Sequence, residues 1–296
     1  MTLRHLKIFI AVVNFGSMTA AAEALYIAQP TVSQAIAELE NHYGVKLFDR
    51  LSRRLYITEV GKQFLSYSRH IVTLFEEMDQ IMKNPDKSGI LKIGASITVG
   101  ARLLPRLTND FADTYSSIRI QAVINNTRDI ESLIMKNTID FGVVEGIVHS
   151  SDLISHAFMD DELVLAAGKQ HPLSKCQYIS SSELENLDFI VREQGSGTRE
   201  LFESALAAKE IKWRLKWECN NPDGIKSAII NGIGVSFISK RLIEEEIKGE
   251  RLSIIKVNGL DLKRKFSIIY HKNKYLTESM KAFFDLCYSL PSRLDF

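Results

Sequence analysis

Apolar residues in the first part of the chain recur at helical spacing. Leu3, Leu6, Ile10 and Val13 mark a first helix, which Phe15-Gly16-Ser17 interrupts, with Gly16 suited to a left-handed cap and Ser17 to capping the next helix. Met18 to Leu25 is alanine-rich and predicts a short helix whose small side chains allow close packing. Tyr26-Ile27-Ala28-Gln29 predicts a turn, and Pro30 suits a first helical position. A third helix from about Pro30 to His42 puts Val32, Ile36 and Leu39 on its buried stripe, and Gly44 ends it. Two helices joined by a tight turn, the second opening on polar residues, predict a helix-turn-helix, although an ordinary three-helix bundle with polar helix ends gives the same pattern. Alternating Leu55 and Ile57 then predict a short β-ribbon, or wing.

From about Thr58 to Met82 the apolar positions are Val60, Phe64, Tyr67, Ile71, Leu74, Met78 and Ile81, at alternating spacings of four and three. That is a coiled-coil seam, expected to pair with a second copy, with packing against its own chain as the alternative. Such a helix would be about 37 Å long at about 1.5 Å per residue. Asn84-Pro85-Asp86-Lys87-Ser88-Gly89 breaks it and predicts a domain boundary.

Beyond it, strand and helix patterns alternate. Ile90–Ala95, Arg119–Ile124 and Ile139–Val144 read as strands, with helices at Leu103–Phe111 and Asp129–Met135 between them, the rhythm of a parallel sheet. A second set follows: strands at Glu162–Ala167, Phe189–Val191, Lys216–Cys219 and Gly234–Ile238, with helices after Thr198 and from Asp223. A strand at Lys265–Tyr270 and a helix near Leu276–Leu290 close the chain. The predicted organisation is a helical head over 1–58, a linker helix and hinge over 59–87, and an α/β domain over 88–296. That domain would form two lobes, about 88–161 with 264–296 and about 162–263.

Composition changes this picture little. With 45% hydrophobic and 25% charged residues, the 296-residue chain has ordinary globular averages, so wholesale disorder and collagen-like repeats are excluded. The longest unbroken apolar run, Ile8–Val13, is far short of the ~20 residues of a membrane span. No secretory leader is predicted. Three widely spaced cysteines without C-x-x-C pairs argue against a disulfide scaffold or a cysteine zinc site; they fit a reducing cytosol and a cytoplasmic protein.

Charge matters only locally. The net charge is +1, but Lys46, Arg50, Arg53 and Arg54 face only Asp49. A basic cluster is usually just a solvated surface; beside a helix-turn-helix it predicts arginines reaching phosphates. In such a motif the N-terminal residues of the second helix meet base edges in the major groove. Here these are Gln29, Thr31, Ser33 and Gln34, and a glutamine amide can bond bidentately to adenine.

The run Ser17–Leu25, then Gln29–Ile36, Leu39-Glu40, Gly44, Leu47-Phe48, Arg50, Arg53-Arg54, Thr58 and Gly61 resembles, almost without gaps, the winged helix-turn-helix of LysR-type transcriptional regulators. The resemblance implies that Gln29, Pro30, Thr31, Ser33 and Gln34 lie at the operator and Arg50, Arg53 and Arg54 on the wing. Many members carry Arg where this chain has Gln34, so an amide reading adenine replaces a bidentate guanine contact. The resemblance also implies a linker helix paired in a dimer. Expected partners are double-stranded DNA, a second copy in a homodimer or homotetramer, and RNA polymerase, with no membrane.

The C-terminal part resembles the family's effector-binding domain, itself similar to periplasmic binding proteins, which implies a ligand between two lobes. Groups at carboxyl ends of strands are the candidates: Ser96, Ile97 and Thr98, then Asn126 and Thr127, then Glu145. Gly195-Ser196-Gly197-Thr198 opens a helix, where exposed backbone N–H groups and hydroxyls would favour a carboxylate or inorganic oxyanion. Ser196 and Thr198 can equally serve as helix caps, and Arg199 as a surface ion-pair partner. The loop resembles that of family members sensing small anions. No cofactor, catalytic residue or metal site is expected: the phosphate-loop spacing, a G-x-S-x-G elbow and an H-E-x-x-H pair are missing, and His149, His156 and His171 are scattered. A plain solute-binding protein is the second alternative, and the lack of a predicted secretory leader and the helix-turn-helix both argue against it.

Overall fold

A computed structural model describes residues 1–51, 54–83 and 89–293. The contacts divide it in outline at residues 88/89. In the N-terminal unit, α1 (Leu3–Phe15) stops at Gly16, whose φ of +66° brings its N–H back to the Val12 carbonyl at 2.9 Å. Ser17 caps α2 (Met18–Ala24) by accepting from the Thr19 and Ala20 N–H groups. Helix α3 (Gln29–Tyr43) ends at Gly44, again left-handed. Strands β1 (Phe48–Leu51) and β2 (Arg54–Ile57) form an antiparallel ribbon with Phe48 opposite Ile57. Phe9, Val12, Val32, Ile36, Leu39 and Leu47 make the core; the stripe read on α3 faces it, whereas on α1 the face turned inward is Ile8, Phe9 and Val12 rather than Leu3, Ile10 and Val13, which are half-buried.

Two polar residues weld the ribbon to the helices. Buried Glu40 accepts from the Leu47 and Phe48 N–H groups at 2.9 and 3.3 Å and from Lys46 Nζ at 2.6 Å. The Thr58 hydroxyl donates to the Lys46 carbonyl at 2.8 Å and accepts from the Gly61 N–H at 2.9 Å, capping α4 (Glu59–Lys83). A side chain on Gly61 would collide with the Leu47 carbonyl, so the helix can approach this closely only with glycine there.

The expected seam on α4 needs one correction. Phe64 does not face outward; its ring packs edge-on against Phe9, with centroids 5.0 Å apart, and against Tyr43 at 5.4 Å. Its neighbours four and three residues away remain open. Val60, Tyr67, Ile71, Leu74 and Met78 are all 41–50% exposed. The side chain of Ile81 lies outside the described residues.

The C-terminal unit starts with β3 (Ile90–Ser96), α5 (Ile97–Arg102), α6 (Leu104–Thr114), β4 (Arg119–Asn125), α7 (Thr127–Met135) and β5 (Phe141–Glu145). Strand β6 (Leu153–Gly168) follows, then β7 (Tyr178–Ser180), β8 (Asp188–Val191), α8 (Gly197–Ala207), β9 (Arg214–Glu218), α9 (Pro222–Ile230) and β10 (Ser236–Ser239). Helix α10 (Glu244–Lys248), β11 (Leu252–Asn258), β12 (Lys263–His271) and α11 (Glu278–Ser289) complete it. The main sheet runs β4-β3-β5-β12-β6-β11-β7, with β10 also on β6.

The sheet is mixed rather than parallel throughout. Strands β3, β4 and β5 are parallel, whereas β12 runs antiparallel to both β5 and β6. Long β6 is the reason. Its first part pairs with β12 and its last part with β10 and β11, so one strand serves two lobes. The first lobe packs around Phe111, Phe141, Phe266 and Phe283, the second around Phe189, Phe202 and Phe237. Strands β7 and β11 were not among those predicted from the pattern. Among the described residues no single helix is long and apolar enough to cross a membrane; the apolar pair α1 and α2, bent by 117°, is head core.

Candidate functional site

In the N-terminal unit, the first turn of α3 presents its polar residues outward: Gln29, Pro30 and Gln34 are exposed and Thr31 and Ser33 half-buried, while Val32, Ala35 and Ile36 turn inward. Gln34 donates to Glu38 at 2.8 Å, and Glu38 also meets His5 at 2.8 Å. Hydrogen bonds from His5 and Gln34 hold the Glu38 carboxyl below its ordinary range. Tyr26, between α2 and α3, is 96% exposed at a φ of +55°, an aromatic ring on the turn that sequence reading treated only as a turn residue. On the ribbon, Arg53 lies outside the described residues. Arg50 and Arg54 stand in β1 and β2, Arg50 opposite Leu55 and Arg54 opposite Leu51, with their side chains outside the description.

The second site lies where the two lobes meet. Strand β5 is buried along its whole length and ends in Glu145, a carboxyl 1% exposed. Thr98, on α5, donates to Glu145 Oε1 at 3.1 Å. Arg264, on β12, lies 3.8 Å from the same oxygen, and its guanidinium donates to Thr198 Oγ1 at 2.8 Å and Thr98 Oγ1 at 3.4 Å. Its Nε pairs with Asp161 at 2.7 Å, and Asp161 also accepts from Ser239 at 2.7 Å. One guanidinium therefore links the first lobe, through Thr98, to the second, through Thr198.

Around this knot, buried polar atoms lack a protein partner: Ser96 Oγ, Ser196 Oγ and Glu145 Oε2. Both serines stand at helix N-cap positions without making the side-chain cap bond. An unpaired buried polar group costs about 1–3 kcal/mol, so three near one junction call for an explanation. Burial pushes the Glu145 carboxyl above the usual carboxylate range, against the pull of Arg264 and Arg192. Gly197 sits against Gly146, where a Cβ on Gly146 would come within 2.9 Å of the Gly197 Cα, so β5 and the start of α8 touch backbone to backbone.

Sequence-predicted residues divide into two groups. Ser96, Thr98, Glu145, Ser196, Gly197 and Thr198 belong to this junction. Asn126 instead caps α7, accepting from the Asp129 N–H at 2.9 Å, and Thr127 donates to the Glu145 carbonyl at 2.9 Å. Gly195, at a φ of +88°, accepts from the Arg128 N–H at 3.2 Å. Ile97 is half-buried at the first position of α5. Arg199 is an interior rather than a surface group, bonded to Glu203 at 2.7 Å, to Glu218 and to the Arg192 carbonyl at 3.1 Å. Arg264, Asp161 and Ser239 were missed. So was Arg192, which with Thr198, Ser239 and the apolar Ile225, Phe237 and Leu242 lines a small cavity in the second lobe. His149 is not a stray histidine: it bridges Glu131 of α7 at 3.4 Å and Glu200 of α8 at 2.7 Å. Among the described residues no group of three or more His, Cys, Asp or Glu could hold a metal ion.

Residues 3–62 match the family described as bacterial regulatory helix-turn-helix protein, lysR family, and residues 85–290 match the LysR substrate binding domain. The chain is 33% identical over 288 residues to the uncharacterized HTH-type transcriptional regulator YeiE of Escherichia coli K12, covering 97% of each chain. It is 32% identical over 290 residues to the HTH-type transcriptional activator CmpR of Synechocystis, covering 97% of this chain and 95% of that one. The regulatory domain of CcmR from Synechocystis PCC6803, solved in complex with 2-PG, superposes with a TM-score of 0.64 at 27% identity. That superposition covers 69% of this chain and 97% of CcmR's. A DNA-binding helix-turn-helix followed by a curled two-lobed domain, matched along nearly its full length by such regulators, makes this chain a member of the LysR family of transcriptional regulators.

Proposed function

We propose that this protein binds specific DNA through its α3 head and that a small anion bound between the lobes of its C-terminal domain changes how it does so. The observation that carries the reading is the junction itself. Two hydroxyls, Ser96 Oγ and Ser196 Oγ, are buried without partners, each two residues before a threonine, Thr98 or Thr198, to which the Arg264 guanidinium donates. Unpartnered hydroxyl donors, a guanidinium shared with Asp161 and the start of α8 together suit a carboxylate or an inorganic oxyanion. The 2-PG seen with CcmR supports a small molecule in the matching domain of a relative.

At the other end, Gln29, Thr31, Ser33 and Gln34 are the candidates for base edges, with Pro30 setting the helix start and Arg50, Arg53 and Arg54 the candidates for phosphates. The open stripe of Val60, Tyr67, Ile71, Leu74 and Met78 supports a homodimer through α4, from which a tetramer could be built. RNA polymerase is the further partner a transcriptional regulator would meet, at the promoter. Because a ligand shifts only an equilibrium between states it binds unequally, the anion must prefer one arrangement of the lobes.

The test is a thermal-unfolding screen of the full chain against small oxyanions and carboxylates. A ligand selective for the folded state raises the Tm with concentration. At least one anion is expected to do so, while its uncharged amide or alcohol analogue does not; equal shifts from neutral analogues would remove the anionic reading.

A further inference from the structure

We propose that Glu145 determines which anions this cleft accepts, by sharing one proton between its free oxygen Oε2 and the bound anion. The site then favours oxyanions that still carry an acidic proton, such as hydrogen phosphate, over fully ionised ones such as sulfate or the dianion of a phosphate monoester. This rests on the anion-binding reading above and narrows it.

Glu145 ends a strand buried on both faces, is itself 1% exposed, and has its two oxygens in different situations. Oε1 accepts from Thr98 at 3.1 Å and faces Arg264 at 3.8 Å, whereas Oε2 has no protein partner. The other groups that could meet an anion here are donors: the hydroxyls of Ser96, Ser196 and Thr198 and the guanidinium of Arg264, while Thr98 has already given its one proton to Glu145. An ionised carboxylate oxygen among them is an acceptor, and an anion oxygen is an acceptor too. The two can be neighbours only with a proton between them, because two facing acceptors in a dry site repel.

That proton has two sources. Hydrogen phosphate brings its own across the neutral range; sulfate brings none, so Glu145 must supply it by being protonated. The charged groups around Glu145 are Arg264 on β12, itself paired with Asp161 on β6, and Arg192 after β8, paired with Glu193; the two arginines pull toward ionisation, Asp161 opposes them, and burial outweighs the arginines. Burial raises the carboxyl's affinity for a proton, so the protonated form is within reach and the discrimination depends on pH. Helix α8 adds no further free charge, since Arg199 is held by Glu203 and Glu218.

The test uses the full-length protein, inorganic phosphate and inorganic sulfate, with calorimetric titrations between about pH 6 and pH 9. In the wild type, sulfate affinity is expected to fall up to tenfold per pH unit once Glu145 ionises, while phosphate affinity stays nearly level. In Glu145→Gln the amide is a permanent donor, so sulfate binding should lose its pH dependence and the preference for phosphate should shrink at least tenfold. Parallel pH profiles for the two anions in the wild type, or an unchanged preference in Glu145→Gln, overturn the proposal while leaving anion binding intact. Binding of neither anion at any pH overturns the proposal and the inorganic-oxyanion form of the reading beneath it, and the thermal screen alone then decides for carboxylates. Should Glu145→Gln not fold, titrating the wild type with sulfate in two buffers of different ionisation enthalpy decides the matter. Uptake of up to one proton per sulfate, reached where Glu145 is ionised, is expected, and no uptake across the range overturns the proposal.

Discussion

Arg264 on β12 and Thr198 at the start of α8 meet across the lobe boundary, guanidinium to hydroxyl at 2.8 Å. The same guanidinium pairs with Asp161, so the group that joins the lobes is also one half of a buried ion pair. Arg264→Ala leaves buried Asp161 with only Ser239 at 2.7 Å and Arg241 at 3.7 Å, and should lower stability by up to about 3–5 kcal/mol in denaturant unfolding. Thr198→Val removes only the bridge and should cost about 1–2 kcal/mol. Equal losses from the two variants would mean that the ion pair does not carry the junction.

Glu40 ties the ribbon to α3 by three hydrogen bonds. Burial opposes its ionisation, but Lys46 and the Leu47 and Phe48 N–H groups together outweigh it, so its carboxyl titrates below the ordinary range. A depressed pKa stabilises the fold above the unfolded-state value and loses that stabilisation as pH falls through the folded-state value. Glu40→Ala should therefore cost about 2–3 kcal/mol near neutrality, with the difference from wild type shrinking below about pH 4. Unfolding curves at several pH values measure it, and a pH-independent difference would contradict the assignment.

His149 carries the opposite sign. The hydrogen bond to Glu200 is the largest influence and, with Glu131, holds its pKa above the ordinary value despite some burial. A raised pKa gives stabilisation that is complete below the unfolded-state value, about 6.5, and disappears as pH rises through the folded-state value. Because α7 belongs to one lobe and α8 to the other, His149→Asn should bring wild type and variant together at alkaline pH and separate them at about pH 6. The ring is half exposed, so the separation will be small and reduced by salt. A larger difference at alkaline pH would contradict the bridge.

Ile71 stands in the open stripe of α4 and is 45% exposed. A charge there costs nothing in an isolated chain but would be buried in a paired helix. Ile71→Glu is expected to sediment as a monomer with an unchanged head fold by circular dichroism. A dimer of wild-type strength would place the interface elsewhere.

The helical head was legible because its signals act over a few residues. Gly16, Ser17, Pro30 and Gly44 each start or stop a helix through their own backbone or nearest turn. Phe64 was misjudged because spacing alone cannot distinguish a seam facing a partner from one facing α1. The lobe junction was legible only by halves. Thr98 and Thr198 sit just past strands or loops that a pattern reveals. Arg264 is embedded in Lys263-Arg264-Lys265, which reads locally as a solvated basic edge. Only the register of β12 against β6, which sets Arg264 opposite Asp161 and turns Lys263 and Lys265 outward, makes it interior. Long-range pairing of that kind leaves no local trace.

The most direct measurement of the central claim couples the two ends of the chain. Fluorescence anisotropy would follow wild type and the double variant Thr98→Val, Thr198→Val on a duplex enriched for binding to this protein, with and without the anion that raises its Tm. The account predicts that the anion changes wild-type DNA affinity or stoichiometry, and that the double variant binds the same duplex equally well but ignores the anion. A response retained by the double variant, or a wild type whose DNA binding is indifferent to every anion that stabilises it, would contradict the account.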